Sequence, residues 1–359
     1  MKVCILGESR FVPVRHLVEY LVARGDEVHA AGFGPLAFDG RIATHPLETG
    51  SKVSVFLARP AVRDLIRKLR PDIVHAFYLT SYGFLSSRVQ GTPVLATAMG
   101  SDVFGAPDLS RWLRPLRDRL TRAAIERADR IHSVADHMTE QLVRMGAAPS
   151  KIVTFPRGVE TQRFRTVRDE GDTTETLRAT CTRKLEPVYD HRTLLEGASR
   201  FVSRGGELRL SLVGEGYLRP ALELRAAELG LGDVVRFEGE RPHDAMPDSY
   251  RQAQVYASAS LSDGTSSCLL EAMAAGCIPV VTDIQANRAW VEDGVNGFLF
   301  AAGDPDALAS ALARARETRT RWPDMRRKSL EIVERRGSLA AGLQRVRDLY
   351  DELAGRGTV

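Results

Sequence analysis

The stretch Ser260-Leu-Ser-Asp-Gly-Thr-Ser-Ser-Cys-Leu-Leu-Glu-Ala-Met-Ala-Ala-Gly276 places one carboxylate, Asp263, in a polar turn and a second, Glu271, in an apolar run. Between them, Gly264, Thr265, Ser266 and Ser267 are small enough to bring backbone N–H groups close to an anion. The pattern predicts a helix opening at about Ser267. Its unpaired N–H groups and positive dipole end would then face the same turn. The combination suits a phosphorylated or diphosphate ligand whose hydroxyl groups also need carboxylate acceptors.

Outward from this stretch the chain alternates buried strands with amphipathic helices. Residues 2–7 read as a buried strand, 14–24 as a helix with Pro13 tolerated at its start, and 27–32 as a second strand. This β-α-β opening predicts a parallel, doubly wound sheet. The first half continues with a helix over 61–69, strands over 72–75 and 93–98, a helix over 110–128, and strands over 130–134 and 152–155. Residues 166–175 are polar, acidic and aperiodic, and read as a linker. A second series follows, with strands over 178–183, 208–213, 234–238, 255–259 and 278–281 and helices over 192–202, 219–229, 244–252 and 267–275. Asp304 before Pro305 is an N-cap with proline at the first helical position. The domains expected are therefore 1–165 and 176–338, with a last helix over 339–353.

A chain of 359 residues has room for two such cores. Its 43% hydrophobic and 27% charged residues are those of a soluble globular protein, and no apolar run is long enough to span a bilayer. The N-terminal residues read as a strand rather than a signal peptide. Cys4, Cys181, Cys268 and Cys277 have neither paired nor metal-ligand spacing, so reduced core thiols are expected, with no zinc site and a cytoplasmic location. Residues 1–165 carry 24 Lys/Arg against 16 Asp/Glu, a net of +8, whereas the remainder nets −4. The basic half would favour an acidic acceptor or an anionic membrane face, leaving peripheral contact at the inner membrane open. Arg111, Arg114, Arg117, Arg119, Arg122, Arg127 and Arg130 crowd one helical region, which Asp118 interrupts and which reads as a solvated face. Nucleic-acid binding has no motif.

The opening stretch resembles the signature of the retaining glycosyltransferases of family 4, which have the GT-B fold. That signature is a Glu, seven residues, then Glu ahead of a small-residue helix. Here Asp263 takes the first position and Glu271 the second. Gly276-Cys-Ile-Pro-Val-Val-Thr-Asp-Ile-Gln-Ala-Asn287, Val291-Glu-Asp-Gly-Val-Asn-Gly-Phe-Leu299 and Ala302-Gly-Asp-Pro-Asp-Ala-Leu308 extend the likeness. It implies an α/β fold of two Rossmann-like domains facing each other across a cleft, with the acceptor domain first and the nucleotide-sugar domain second. The segment 339–359 would cross back to the first domain. A merely terminal helix of the second domain is the alternative.

The resemblance also implies roles. Glu271 would accept hydrogen bonds from ribose hydroxyls, Gly264 to Ser267 would contact the sugar and phosphates, and Asp263, one methylene shorter than Glu, would face the transferred sugar. In Thr182-Arg-Lys-Leu-Glu-Pro-Val-Tyr-Asp190, Lys184 takes the place of a diphosphate-binding Arg and Tyr189 that of a Lys, with Arg183 as the other candidate cation. Gly214, in Val213-Gly-Glu-Gly216, would allow close approach of the donor, or simply make a tight turn. Gly239 lies in Arg236-Phe-Glu-Gly-Glu-Arg-Pro242, which resembles the segment that meets the nucleotide base.

In the first half, Leu69-Arg-Pro-Asp-Ile-Val-His-Ala-Phe-Tyr-Leu-Thr-Ser-Tyr-Gly83 and Thr97-Ala-Met-Gly-Ser-Asp102 resemble family segments, with Phe77 and Met99 where relatives often carry His. His75 is an acceptor-site candidate or a structural residue. Asp102 binds a sugar hydroxyl or caps the next turn. Gly7 and Arg15, at the first β-α junction, meet an anionic group, or Arg15 is a surface residue. Phe155-Pro-Arg-Gly-Val-Glu-Thr-Gln-Arg-Phe164 resembles the segment ending the first domain, with Arg157 and Glu160 replacing Asn and Asp.

The implied reaction is transfer of a sugar from a nucleotide-diphosphate sugar, with retention and without an obligatory metal or cofactor. A UDP-sugar is the first expectation, then a GDP- or other nucleotide sugar. The acceptor would be a sugar, a lipid-linked or polysaccharide precursor, or a natural product. A phosphorylase of the same fold and a non-catalytic nucleotide-sugar-binding subunit are the rival readings.

Overall fold

A computed structural model describes residues 1–34, 36–38, 40–47, 54–105, 113–166, 168 and 174–355. The chain divides into two compact units, Met1–Arg157 with Ala341–Val359, and Gly158–Ala340. The first contains β1 (Lys2–Leu6), α1 (Val12–Ala23), β2 (Glu27–Phe33), β3 (Ala43–Leu47), α2 (Ser54–Leu69), β4 (Ile73–Phe77), a π-helix (Tyr78–Gly83), α3 (Phe84–Ser86), β5 (Val94–Ala98), α4 (Ser101–Phe104), α5 (Arg114–Arg127), β6 (Arg130–Ser133), α6 (Asp136–Arg144) and β7 (Ile152–Thr154). The second contains α7 (Thr161–Phe164), β8 (Leu177–Cys181), α8 (His191–Ser203), β9 (Leu208–Val213), α9 (Arg219–Glu228), β10 (Val235–Gly239), α10 (Met246–Arg251), β11 (Val255–Ser258), α11 (Ser267–Ala274), β12 (Ile278–Thr282), α12 (Gln285–Arg288), β13 (Phe298–Phe300), α13 (Pro305–Glu317) and α14 (Trp322–Arg336). Helix α15 (Leu339–Leu353) ends the described chain.

The first sheet runs β3-β2-β1-β4-β5-β6-β7 and the second β10-β9-β8-β11-β12-β13. Every named pairing is parallel. Each strand order reverses once, beside β1 in one sheet and beside β8 in the other, which is the doubly wound arrangement of a Rossmann-like domain. Because parallel sheets are covered on both faces, their inner strands are buried along their whole length and mostly apolar, as β4, β5 and β12 are.

From Ala341 onward the chain belongs to the first unit, where α15 lays Val346, Leu349 and Tyr350 on Val14, Leu17, Ile73 and Phe155. Burial of each such side chain contributes about 1.5–3 kcal/mol. A chain of polar contacts runs beneath this helix. His75 shares short hydrogen bonds with the Tyr350 hydroxyl (2.6 Å) and Thr97 Oγ1 (2.6 Å). Thr97 Oγ1 lies 3.2 Å from His132 Nδ1, and His132 Nε2 lies 2.9 Å from the Phe155 carbonyl. Strands β4, β5 and β6, the residue following β7 and α15 are thus tied together through side chains that would otherwise be unsatisfied in the core. Burial lowers His75 well below its ordinary value, and burial lowers His132 to about 4, so both rings are neutral.

Several elements depart from the expected pattern. The unit boundary falls at Arg157 and not 165, because Val159 N donates to Gly337 O (2.8 Å), Leu339 N to Val159 O (3.1 Å), and Phe164 packs among Tyr250, Leu269 and Met273. The expected linker is part of the second unit where it is described: Arg168 donates to the carbonyls of Tyr250, Ala253 and Ala275. Residues 167 and 169–173 of that stretch lie outside the described residues. Strand β3 has no apolar period because it is a sheet edge, where Pro46 and its missing N–H are tolerated. The helix expected over 110–128 is described from Arg114, and Arg111 lies outside the described residues. In the arginine-rich region around it, Arg117, Arg127 and Arg130 pair with Asp118, Asp129 and Glu352. The four cysteines are free; burial raises the Cys4 and Cys181 thiols to about 12. No helix among the described residues is long and apolar enough to cross a membrane.

Candidate donor site

In the second unit, loops leaving the C-terminal ends of β8, β9 and β11 carry the residues singled out from the sequence. That edge of a parallel sheet, beside the reversal of strand order, is where ligands bind. Strand β8 ends at Cys181, so Thr182, Arg183 and Lys184 already lie in the loop. Ser266 caps α11 by accepting from Leu269 N at 3.2 Å. The N–H groups of Ser267 and Cys268, in the first turn, have no intrahelical acceptor and supply a positive helix end. Cys268 Sγ donates to the Thr182 carbonyl at 3.2 Å, joining the start of α11 to the β8 loop.

Asp263 and Arg183 meet here. Arg183 Nη2 donates to Asp263 Oδ2 at 2.5 Å and Nη1 to Ser266 Oγ at 2.9 Å, while its guanidinium carbon lies 4.1 Å from the centre of the Tyr189 ring. Arg183 is 8% exposed and Asp263 17%. Burial opposes the guanidinium charge, but Asp263 beside it prevails and holds Arg183 well above its ordinary value. Tyr189, at the position where a lysine is the expectation, is therefore the platform on which a neighbouring cation rests. The second oxygen of Asp263 accepts from Gly264 N at 2.9 Å. Lys184 is exposed and has no ion pair among the described residues.

Glu271, on α11, is buried at 6% exposure. Tyr250 O–H donates to Oε2 at 2.8 Å, and His243 Nε2 lies 3.3 Å from Oε1. Burial, then the Glu271 charge, raises the Tyr250 hydroxyl well above its ordinary value, so it stays a donor. Tyr250 is itself 2.9 Å from Thr182 Oγ1. These contacts fix the carboxylate while leaving lone pairs for further donors. Sequence reading missed His243, Tyr250 and Thr182. Their spacing from Glu271 has no local period, and only the packing of α10, the turn before it and the β8 loop around α11 brings them together.

The glycines of the β9 loop have a structural task. Gly214 has φ +151°, and a Cβ there would stand 2.5 Å from the Arg183 carbonyl; a Cβ on Gly216 would strike the carbonyl of Leu185. Gly214 N donates to Gly239 O (2.8 Å) and Leu185 N to Glu215 O (3.0 Å). The close approach is thus between protein backbones, and it sets the position of Arg183 and Lys184.

In the first unit the candidates separate. His75 is 1% exposed with both ring nitrogens engaged in the core, which withdraws it from any acceptor. Asp102 is also 1% exposed and accepts from the amides of Leu79 (2.8 Å), Met99 (3.0 Å) and Gly100 (2.8 Å), so it caps the turn. Burial raises its carboxyl above the usual range, against the pull of those amides. Met99 is half-buried against the core formed by α1, β1 and β4. Gly7 donates to Ala31 O at 3.0 Å, and Arg15 is an exposed residue of α1 with no ion pair among the described residues. Among the described residues, no group of three His, Cys, Asp or Glu side chains is placed to hold a metal.

Two Rossmann-like units, the second with a helix start flanked by two carboxylates, define a glycosyltransferase of the GT-B class. Family models described as "Glycosyltransferase Family 4" and "Glycosyl transferases group 1" match residues 12–163 and 178–317, and the chain belongs to family 4. It is 27% identical over 287 residues to D-inositol 3-phosphate glycosyltransferase 2 of Catenulispora acidiphila, covering 74% of this chain and 67% of that protein. It is 31% identical over 209 residues to D-inositol 3-phosphate glycosyltransferase of Kribbella flavida, covering 53% and 48%. The chain thus spans between about half and two thirds of the length of these relatives. Among solved structures it resembles sucrose-phosphate synthase from Thermosynechococcus elongatus (TM-score 0.84, 20% identity, 99% of each chain). It also resembles Anabaena HepE in complex with UDP (TM-score 0.81, 17% identity, 98% of this chain and 100% of that one).

Proposed function

We propose that this glycosyltransferase takes its sugar from a nucleotide-diphosphate sugar, a UDP-sugar first, bound at the strand ends of the second unit. The observation that carries the reading is Glu271, a buried carboxylate held by Tyr250 and His243 at the helix whose start presents free N–H groups. Its remaining lone pairs suit the paired hydroxyls of a ribose, and the helix start suits a diphosphate. HepE, similar in fold, has been solved with UDP and with UDP-glucose, which supports the choice of uridine donor.

Arg183 is spent on Asp263 and Ser266, so Lys184 is the cation assigned to the departing diphosphate. Arg183 then acts as a positioning residue, holding Asp263 towards the sugar. In the proposed reaction the bond from the anomeric carbon to the phosphate oxygen breaks and the bond to the acceptor oxygen forms on the same face. The acceptor proton passes to the departing phosphate, so retention needs no separate protein base. The helix start and Lys184 stabilise the developing negative charge. The acceptor is a hydroxyl of a sugar, a glycolipid or polysaccharide precursor, or a natural product. The inositol phosphate named for the relatives is one to test first.

A titration panel of UDP-, GDP-, ADP- and dTDP-sugars tests the reading, followed by detection of released nucleotide with candidate acceptors. Binding of one donor class, weakened by Lys184→Ala, is expected; no binding to any member would refute it. The Arg183 clamp on Asp263 favours a second reading, a subunit that binds a nucleotide sugar without transferring it. Donor binding with no transfer or hydrolysis across the acceptor panel would select that alternative.

A further inference from the structure

The N-terminal edge of the first sheet, opposite the edge from which Gly7 and Met99 emerge, carries a groove of about 560 Å³. That volume falls within the range of small-ligand sites. Arg63, Arg67, Arg70 and Arg88 line it with residues 89–92, and Arg127 lines an adjoining pocket that shares Arg63, Arg67 and Arg88. These arginines come from three places in the fold: α2 and its C-terminal end, the loop before β5, and the end of α5. Among the described residues, only Asp64, beside Arg63 (2.9 Å) and Arg67 (3.8 Å), and Asp129, beside Arg127 (2.9 Å), oppose them. Five arginines against two carboxylates leave three positive charges uncompensated. Arg70 and Arg88 have no ion pair among the described residues.

The arrangement is costly to the protein by itself. Arg59, Arg63 and Arg67 repeat at intervals of four along one face of α2, a spacing at which like charges repel. Burial, then the charge of Arg88, lowers the Arg59 guanidinium below its ordinary value, so the crowding reaches across elements. Arg70 holds φ +47° just past the helix end, a conformation usually left to Gly or Asn. The negative end of the α2 dipole rewards Arg67 and Arg70, but not Arg88 or Arg127 from other elements. Arg127 is already rigid, donating to the Val89 and Thr92 carbonyls at 2.6 Å each, and it fixes the loop that presents Arg88.

We propose that this groove binds a phosphate-dense anion of the pyrophosphate class, at a site separate from the donor loops. Guanidinium groups match phosphate oxygens in pairs, and the three uncompensated charges match a diphosphate near neutral pH. The same chemistry is offered by a free phosphorylated metabolite or by the headgroups of an anionic lipid surface. The site does not depend on the identity of the donor.

The test is calorimetric titration of the full chain with sodium pyrophosphate, beside sedimentation with phosphatidylglycerol vesicles. Wild type, Arg70→Glu/Arg88→Glu and Lys184→Ala are compared, with circular dichroism as the control for folding. The groove variant should lose pyrophosphate affinity by at least about tenfold while Lys184→Ala retains that component, which separates this site from the donor reading. Vesicle capture lost in the same variant, without free pyrophosphate binding, would identify a lipid as the phosphate source. Binding of both probes unchanged in the groove variant, or no binding of either to wild type, would overturn the site.

Discussion

Replacing Asp263 by alanine removes the one carboxylate within ion-pair distance of Arg183 among the described residues. The guanidinium, 8% exposed, keeps uncharged partners such as Ser266 Oγ and the Tyr189 ring. Stripping one partner from a buried pair costs about 3–5 kcal/mol. Asp263 is 17% exposed, so water entering the gap recovers part of this, and a loss of about 2–3 kcal/mol is expected. Arg183→Met/Asp263→Ala removes both charges and should be less damaging than Asp263→Ala alone. Urea unfolding reads this out through Trp290 and Trp322, both buried in the second unit. A Trp112→Phe background silences the third tryptophan, which lies outside the described residues. A loss below about 0.5 kcal/mol for the single variant would mean that Arg183 and Asp263 form an ordinary solvated contact. A double variant as unstable as the single one would carry the same message.

Three further outcomes follow from the geometry. Tyr350→Phe deprives His75 of its partner on α15 and should cost about 1–2 kcal/mol; an unchanged thermal midpoint would dissociate that hydrogen bond from the stability of the first unit. His132 has a folded value of about 4 against an ordinary value near 6.5, so the unfolded chain takes up its proton first. Stability is complete above about pH 6.5 and falls towards pH 4, with about 2 kcal/mol lost by pH 5; urea midpoints at pH 7 and pH 5 that agree, in wild type and His132→Asn alike, would contradict this. Gly214→Ala forces a Cβ against the Arg183 carbonyl and should weaken nucleotide-sugar binding as well as stability, whereas an unaffected dissociation constant would show that the β9 loop does not position the site.

The parallel α/β architecture was legible because buried strands and amphipathic helices leave periods that survive in a single sequence. Residues 2–7 and 278–281 show this, as does the Asp304–Pro305 helix start, where Asp304 does accept from the amides of Asp306 and Ala307. The opening of α11 at Ser267 was legible for the same reason: the small residues ahead of an apolar run mark a cap. What escaped depends on distant partners. Nothing near Glu271 announces Tyr250, and nothing near Arg183 announces that Asp263, 80 positions away, will occupy it. His75 and Asp102 could be read as functional or structural from sequence. The contacts to Tyr350, Thr97 and the amides of 79, 99 and 100 decide for structure. Gly214 could likewise be read as admitting a ligand or making a tight turn, and the backbone it admits belongs to the β8 loop.

The proposed donor site is tested most directly by measuring nucleotide-sugar affinity in wild type, Glu271→Gln and Glu271→Ala, with folding checked by circular dichroism. Loss of charge-assisted bonds to the ribose, worth about 1.5–3 kcal/mol, should weaken Glu271→Ala at least about tenfold, with Glu271→Gln intermediate. Equal affinity in all three folded proteins would contradict the account, because the ligand would then have to lie away from α11.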